Sequence, residues 1–158
     1  MARKLWFYDF DRTLCAHDYP KVGVKWTDMS LLLCQYRDSD ILTNGDRPIR
    51  AMQWHVSMRS PEDTLFCLTH QLSNLREAYI KDFLNKHYNG SLEYIEVATP
   101  ELKIVAIEAI AEALSVSLGN CYLIEDRMDT VHMACDAGIN GIHISNIYVE
   151  YENYLEHK

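Results

Sequence analysis

The chain has 158 residues, 48% of them apolar and 24% charged, and a formal net charge of −8. That is enough chain for one packed domain and hardly two. The acidic balance disfavours a polyanionic partner such as duplex nucleic acid, which needs clustered Lys and Arg, and no stretch approaches the ~20 apolar residues of a membrane span.

The first element predicted is a short aromatic strand over Leu5–Tyr8 that ends at Asp9. Four apolar residues are too few for a signal-peptide core. Residues 15–63 follow as a stretch read as a flap or short hairpin plus a helix. The helix follows the turn-like run Asn44–Pro48 and turns Ile49, Met52 and Val56 inward, with Trp54 a further candidate. A second strand covers residues 65–68 and ends at Thr69.

Leu72, Leu75, Tyr79, Ile80, Phe83, Leu84 and His87 recur at three- and four-residue steps and predict a helix stopped by Asn89-Gly90. Residues 92–98 read as a third strand. Behind Thr99-Pro100 a second such helix places Leu102, Val105, Ala106, Ala109, Ile110, Ala113 and Leu114 on its inner face. Residues 121–124 make a fourth strand, ending at Glu125-Asp126. A helix over about 128–137 stops at Gly138, and residues 141–144 make a fifth strand. Strand and helix alternate throughout, which predicts a single α/β domain over 1–158: a Rossmann-like parallel sheet of about five strands flanked by helices.

In such folds the site lies at the carboxyl ends of the strands. Asp9-Phe10-Asp11, Thr69 and Glu125-Asp126 all fall there. Two carboxylates one residue apart behind a buried strand are costly to leave unpaired. A bound cation resolves that cost, and phosphoryl transfer needs such a cation beside an anionic nucleophile. Asp-x-Asp is also a common way to leave a strand, a hydroxyl such as Thr69 also caps helices, and most lysines at a helix front are only solvated.

The stretch Phe7–Leu14 resembles the first motif of the haloacid-dehalogenase-like (HAD) superfamily, an apolar strand followed by Asp-x-Asp-x-Thr. The resemblance implies Asp9 as nucleophile, Asp11 as general acid/base and Thr13 as a substrate-side residue, and it points to phosphatases. Phe66–Thr69 is similar to the second motif and implies that Thr69 binds the phosphoryl group, with His70 beside it. Lys103 fits the third motif, and the run Cys121–Asp129 the fourth. From these the resemblance implies a Mg²⁺ site drawn from Asp9, the backbone carbonyl of Asp11, Glu125 and Asp126, with Asp129 supporting a metal-bound water, and it makes residues 15–63 the place of a small cap. Glu125 departs from the family's usual Gly or Asp. The motifs occur in order over residues 5–144.

The implied function is a phosphoric-monoester hydrolase acting on a phosphorylated small molecule, with no membrane partner. A phosphatase of protein or nucleic-acid-end phosphates, and a catalytically weak relative kept as a binding or regulatory module, stay open, as does a homo-oligomer. Five cysteines (Cys15, Cys34, Cys67, Cys121, Cys135), odd in number and without C-x-x-C spacing, predict a reduced, cytoplasmic setting. Cys67, Cys121 and Cys135 lie in apolar runs and read as small core residues.

Overall fold

A computed structural model describes residues 3–16, 46–71 and 76–158. Most of the predicted insert, the Asn44-Gly45 turn, Cys34, and Leu72 and Leu75 of the predicted helix lie outside the described residues. The elements run β1 (Leu5–Tyr8), β2 (Cys15–Ala16), β3 (Arg47–Pro48), α1 (Arg50–Ser57), β4 (Thr64–His70), α2 (Glu77–His87), β5 (Leu92–Val97), α3 (Glu101–Ala113), β6 (Cys121–Glu125), α4 (Met128–Asp136), β7 (Asn140–His143) and α5 (Ile144–Glu156).

Five strands form one sheet in the order β5-β4-β1-β6-β7. Every pairing in it is parallel, with Tyr8 opposite Cys67 on one side and Ile124 on the other. The architecture is α/β and consistent with a Rossmann-like fold, as the alternation of elements predicts. Central β1 is buried along its whole length, as a strand covered on both faces must be. Its side chains alternate between two cores. Trp6 and Tyr8 join residues of α1, α2 and α5. Leu5 and Phe7 join residues of α3 and α4, and Phe7 stacks on Phe66 of β4 at 4.7 Å.

β2 and β3 pair antiparallel, with Cys15 opposite Pro48 and Ala16 opposite Arg47. Ile49, Met52 and Val56 are buried, as expected of the insert's helix. Trp54 packs instead on Tyr151 and Tyr154 of α5, at 5.5 and 5.2 Å. His55 is buried beneath β1, where its Nδ1 shares a 2.9 Å hydrogen bond with Tyr8 Oη. Burial, and then the neighbouring Arg59 charge, push the His55 imidazole down to about 3.

Three expectations need correction. First, the inner face of α3 is Lys103, Ile107 and Ala111, whereas Leu102 and Val105 are exposed. Apolar residues surround this helix on nearly every side, so periodicity alone picks no face, and the charge partners of Lys103 draw its side inward. Second, Cys135 is exposed at the end of α4, while Cys15 joins Cys67 and Cys121 in the interior. Third, Ile144 starts a thirteen-residue helix, α5, instead of ending a strand.

Glycine is required in β7. A Cβ on Gly141 would stand 2.5 Å from the Val131 carbonyl oxygen, because α4 lies directly against this strand. Gly138, at φ +85°, makes the turn between the two.

Candidate active site

Three strand ends build the site. At the end of β1 the Asp9 amide donates to the Ile124 carbonyl at 3.0 Å, so the chain is still in the sheet when it reaches this carboxylate. It then turns sharply, and the amides of Thr13, Leu14 and Cys15 all donate to the Phe10 carbonyl, at 3.2, 3.0 and 3.0 Å. Arg12, on the outside of the turn, takes a left-handed backbone (φ 61°), which costs a side-chain-bearing residue about 1–2 kcal/mol. The turn brings Thr13 back beneath Asp9, and Thr13 Oγ1 donates to Asp9 Oδ2 at 3.3 Å.

Lys103 reaches the same carboxylate from the first turn of α3. Thr99 Oγ1 supports that helix start by accepting from the Leu102 amide at 3.4 Å. Lys103 Nζ lies 2.7 Å from Asp9 Oδ1 and 2.7 Å from Glu125 Oε2, with its side chain 1% exposed. Burial opposes its charge, but the two carboxylates outweigh burial and hold the ammonium above its ordinary range. Glu125 ends β6, and Asp126 follows it. Oxygens of Asp9, Glu125 and Asp126 all lie within 4.8 Å of one another. Burial first, and the Asp9 charge second, push both the Glu125 and the Asp126 carboxyls above the usual carboxylate range. Two buried acids and the half-buried Asp126 against one buried cation form a site deficient in positive charge. Its oxygen-only donors suit a hard divalent cation such as Mg²⁺.

Of the residues singled out from the sequence, Asp9, Thr13, Lys103, Glu125 and Asp126 are brought together. Glu125, which departs from the family pattern, is one of the two carboxylates that hold Lys103. Thr69 is buried at the end of β4, where its Oγ1 accepts from Gln71 Nε2 at 3.0 Å. His70 closes the strand, half-buried and in register with Val97.

Two expected contributors to the metal site keep their carboxylates out of the three-acid cluster. The Asp11 carboxylate is gripped by Arg76, whose Nη1 and Nη2 each lie 3.1 Å from one of its oxygens. Asp129 sits on the exposed first turn of α4, with Oδ2 3.0 Å from Arg127 Nη2 and Oδ1 accepting the Thr130 amide at 2.9 Å. The Arg127 hydrogen bond holds the Asp129 carboxyl below its ordinary range.

Sequence reading missed two contributors. Arg76 was visible only as one arginine among several. His143, the last residue of β7, has Nε2 3.0 Å from the Asp126 carbonyl oxygen, while its Nδ1 accepts from the Ser145 amide at 3.2 Å. With Nδ1 accepting, Nε2 carries the hydrogen and donates, which pins the turn bearing Glu125 and Asp126. A strand-final histidine two residues before a serine is the available signal, and it reads equally well as a helix cap.

No family model matches the chain, and no curated protein matches it. Among solved structures the chain is similar to an uncharacterized protein from Corynebacterium glutamicum ATCC 13032 Kitasato. The two share a TM-score of 0.51 and 17% identity over 95% of this chain and 93% of that one. The likeness shows the fold alone. No helix among the described residues is long and apolar enough to cross a membrane.

Proposed function

We propose that the chain is a Mg²⁺-dependent phosphoric-monoester hydrolase of HAD type that works through an aspartyl-phosphate at Asp9. The observation that carries this reading is the buried Lys103 ammonium, held 2.7 Å from both Asp9 and Glu125 at the carboxyl ends of β1 and β6, with Asp126 completing the acid cluster. Structural ion pairs are rarely built from three acids and one cation in a dry site, because the desolvation is not repaid. A site that receives a dication and a phosphoryl group accounts for the imbalance.

In this reading Asp9, Glu125 and Asp126 hold the Mg²⁺. When bound, the metal neutralises the acid cluster and draws charge from the phosphoryl oxygens. One carboxylate oxygen of Asp9 attacks phosphorus, the ester P–O bond breaks, and the leaving oxygen takes a proton from Asp11. Asp11 then takes a proton from a water molecule, which attacks the aspartyl-phosphate and releases phosphate. Lys103 and Thr69 bind the phosphoryl oxygens, and Thr13 keeps Asp9 oriented. A phosphorylated small molecule is the substrate class, and cysteines without a pairing motif support a reduced, cytoplasmic setting.

A second reading, a non-catalytic binding or regulatory protein, draws on the grip of Arg76 on Asp11, a two-armed ion pair at 3.1 Å on each arm. Hydrolysis of p-nitrophenyl phosphate separates the two. The enzyme reading expects turnover that needs Mg²⁺ and drops by about 10³-fold or more in Asp9→Asn, while circular dichroism stays unchanged. Beryllofluoride should bind the wild type and not that variant. Wild-type turnover in Asp9→Asn would remove Asp9 from the chemistry.

A further inference from the structure

We propose that Arg76 selects the substrate by binding a second anionic group, a carboxylate or a further phosphate, carried on the leaving-group side of the scissile ester. This deepens the hydrolase reading and rests on it.

The argument starts from what Arg76 touches. Its guanidinium forms a two-armed pair with Asp11 at 3.1 Å on each arm. Nη1 also lies 3.5 Å from Gln71 Oε1, and Gln71 Nε2 donates to Thr69 Oγ1 at 3.0 Å. Arg76 is therefore tied at once to two strand ends of the site, through Asp11 behind β1 and through Thr69 in β4. Its Cζ lies 5.7 Å from the centroid of the Phe10 ring, and Phe10 is itself fully buried. The guanidinium thus has a fixed seat at the rim.

Access and donor count come next. The Arg76 and Asp11 side chains are 38% and 36% exposed, so a solute reaches them. A guanidinium offers five N–H donors in a planar fork. Asp11 takes two and Gln71 one long contact, and among the described residues Nε faces no acceptor. A planar fork with donors to spare recognises carboxylate or phosphate better than a hydroxyl. A second arginine, Arg12, stands exposed on the same turn as Asp11, and its charge is felt at Asp126.

Position then fixes which part of the substrate is read. Asp11 meets the leaving oxygen, so its ion partner lies on the leaving-group side, away from the phosphoryl oxygens that Lys103 and Thr69 hold. An anion seated on Arg76 shares the guanidinium with Asp11 and loosens their pair. That leaves the Asp11 carboxyl nearer the leaving oxygen. Neutral leaving groups gain neither effect.

Two non-hydrolysable probes that differ by one carboxylate test this: phosphonoacetate and ethylphosphonate, titrated calorimetrically into the full chain with Mg²⁺ present. The wild type should bind phosphonoacetate about tenfold or more tighter, the worth of one accessible charge-assisted pair. Arg76→Gln should erase that preference while ethylphosphonate affinity stays within about threefold. Arg76→Lys, with a point charge and no fork, should keep only part of it. Asp11→Asn should strengthen phosphonoacetate binding, because the guanidinium loses its competitor; a purely structural Arg76–Asp11 pair would not do this. Equal affinities in the wild type, or a preference that survives Arg76→Gln, would overturn the assignment of Arg76 and leave the hydrolase reading standing. Absence of ethylphosphonate binding to the wild type would overturn both.

Discussion

Glu125 Oε2 sits 2.7 Å from Lys103 Nζ, and both side chains are 1% exposed. Each is the reason the other tolerates burial. The same ammonium also holds Asp9 at 2.7 Å, so one cation stabilises two buried carboxylates on neighbouring strands. Removing one partner of such a set leaves uncompensated charge in a dry place, which costs roughly 3–5 kcal/mol. Lys103→Met keeps the length of the side chain and deletes the charge. In metal-free buffer its urea midpoint should fall by the equivalent of about 3 kcal/mol, and added Mg²⁺ should recover more stability in the variant than in the wild type. An unchanged midpoint would mean that the ammonium is not what keeps the three acids together.

Gly141→Ala should destabilise the fold by about 1–3 kcal/mol, because the new methyl meets the Val131 carbonyl oxygen at 2.5 Å, a backbone atom that cannot swing aside. β7 must then move away from α4. Since β7 also carries His143, which bonds the Asp126 carbonyl, the same variant should weaken Mg²⁺ affinity, whereas Gly119→Ala, with open space around the position, should do neither. Thermal melts with and without Mg²⁺ read both effects. Wild-type melting of Gly141→Ala would refute the close approach.

The sheet was legible because each strand is a short apolar or aromatic run closed by a polar residue, and the residues that close β1, β4 and β6 are those of the site. The face of α3 was not legible. Leu102 and Val105 look like core residues, yet Lys103 goes inside, because partners distant in sequence pay for its burial and hydropathy carries no record of them. The start of α5 was not legible either, although Ile144, Ile147 and Tyr148 are buried at helical spacing, because Ile144 continues the apolar run of β7. Arg76 and His143 owe their roles to β4 and β7 lying where the sheet puts them. No local spacing announces either contact.

Acid should unfold the protein partly through His55. The imidazole is buried against Tyr8, Trp6 and Trp54, and it is pushed down to about 3. Its folded value lies below its unfolded one, near 6.5 for an ordinary histidine. The unfolded chain therefore binds the proton more readily, and the stability contributed by neutral His55 is fully present above about pH 6.5 and lost as pH falls toward about 3. The whole span is worth on the order of 5 kcal/mol. His55→Gln cannot take up that proton. Denaturant-derived stability should therefore fall less steeply for His55→Gln than for the wild type between about pH 6.5 and 4, even though the variant starts lower at neutral pH. Parallel curves would show that His55 is not the group that titrates.

Magnesium should stabilise the protein more as pH rises. Glu125 and Asp126 are pushed above the carboxylate range, first by burial and then by the Asp9 charge. A carboxyl with a raised folded value contributes stability that is complete below its unfolded value and is lost as pH climbs through the folded one. The metal-free protein therefore carries growing repulsion at the site from mildly acidic pH upward. Mg²⁺ takes the deprotonated carboxylates, so protons compete with it at low pH and cease to compete at high pH. Its gain, RT ln(1 + [Mg²⁺]/Kd), follows the affinity. Melting temperatures with and without a fixed Mg²⁺ excess, compared from about pH 5.5 to about 8.5, should give a difference that widens with pH. Taking the difference cancels groups far from the metal, His55 among them. Asp126→Asn removes one titrating ligand and should flatten the trend while lowering the gain at every pH. A Mg²⁺ increment that is constant across this range, or equal in Asp126→Asn and the wild type, would mean that these two carboxyls do not hold the ion.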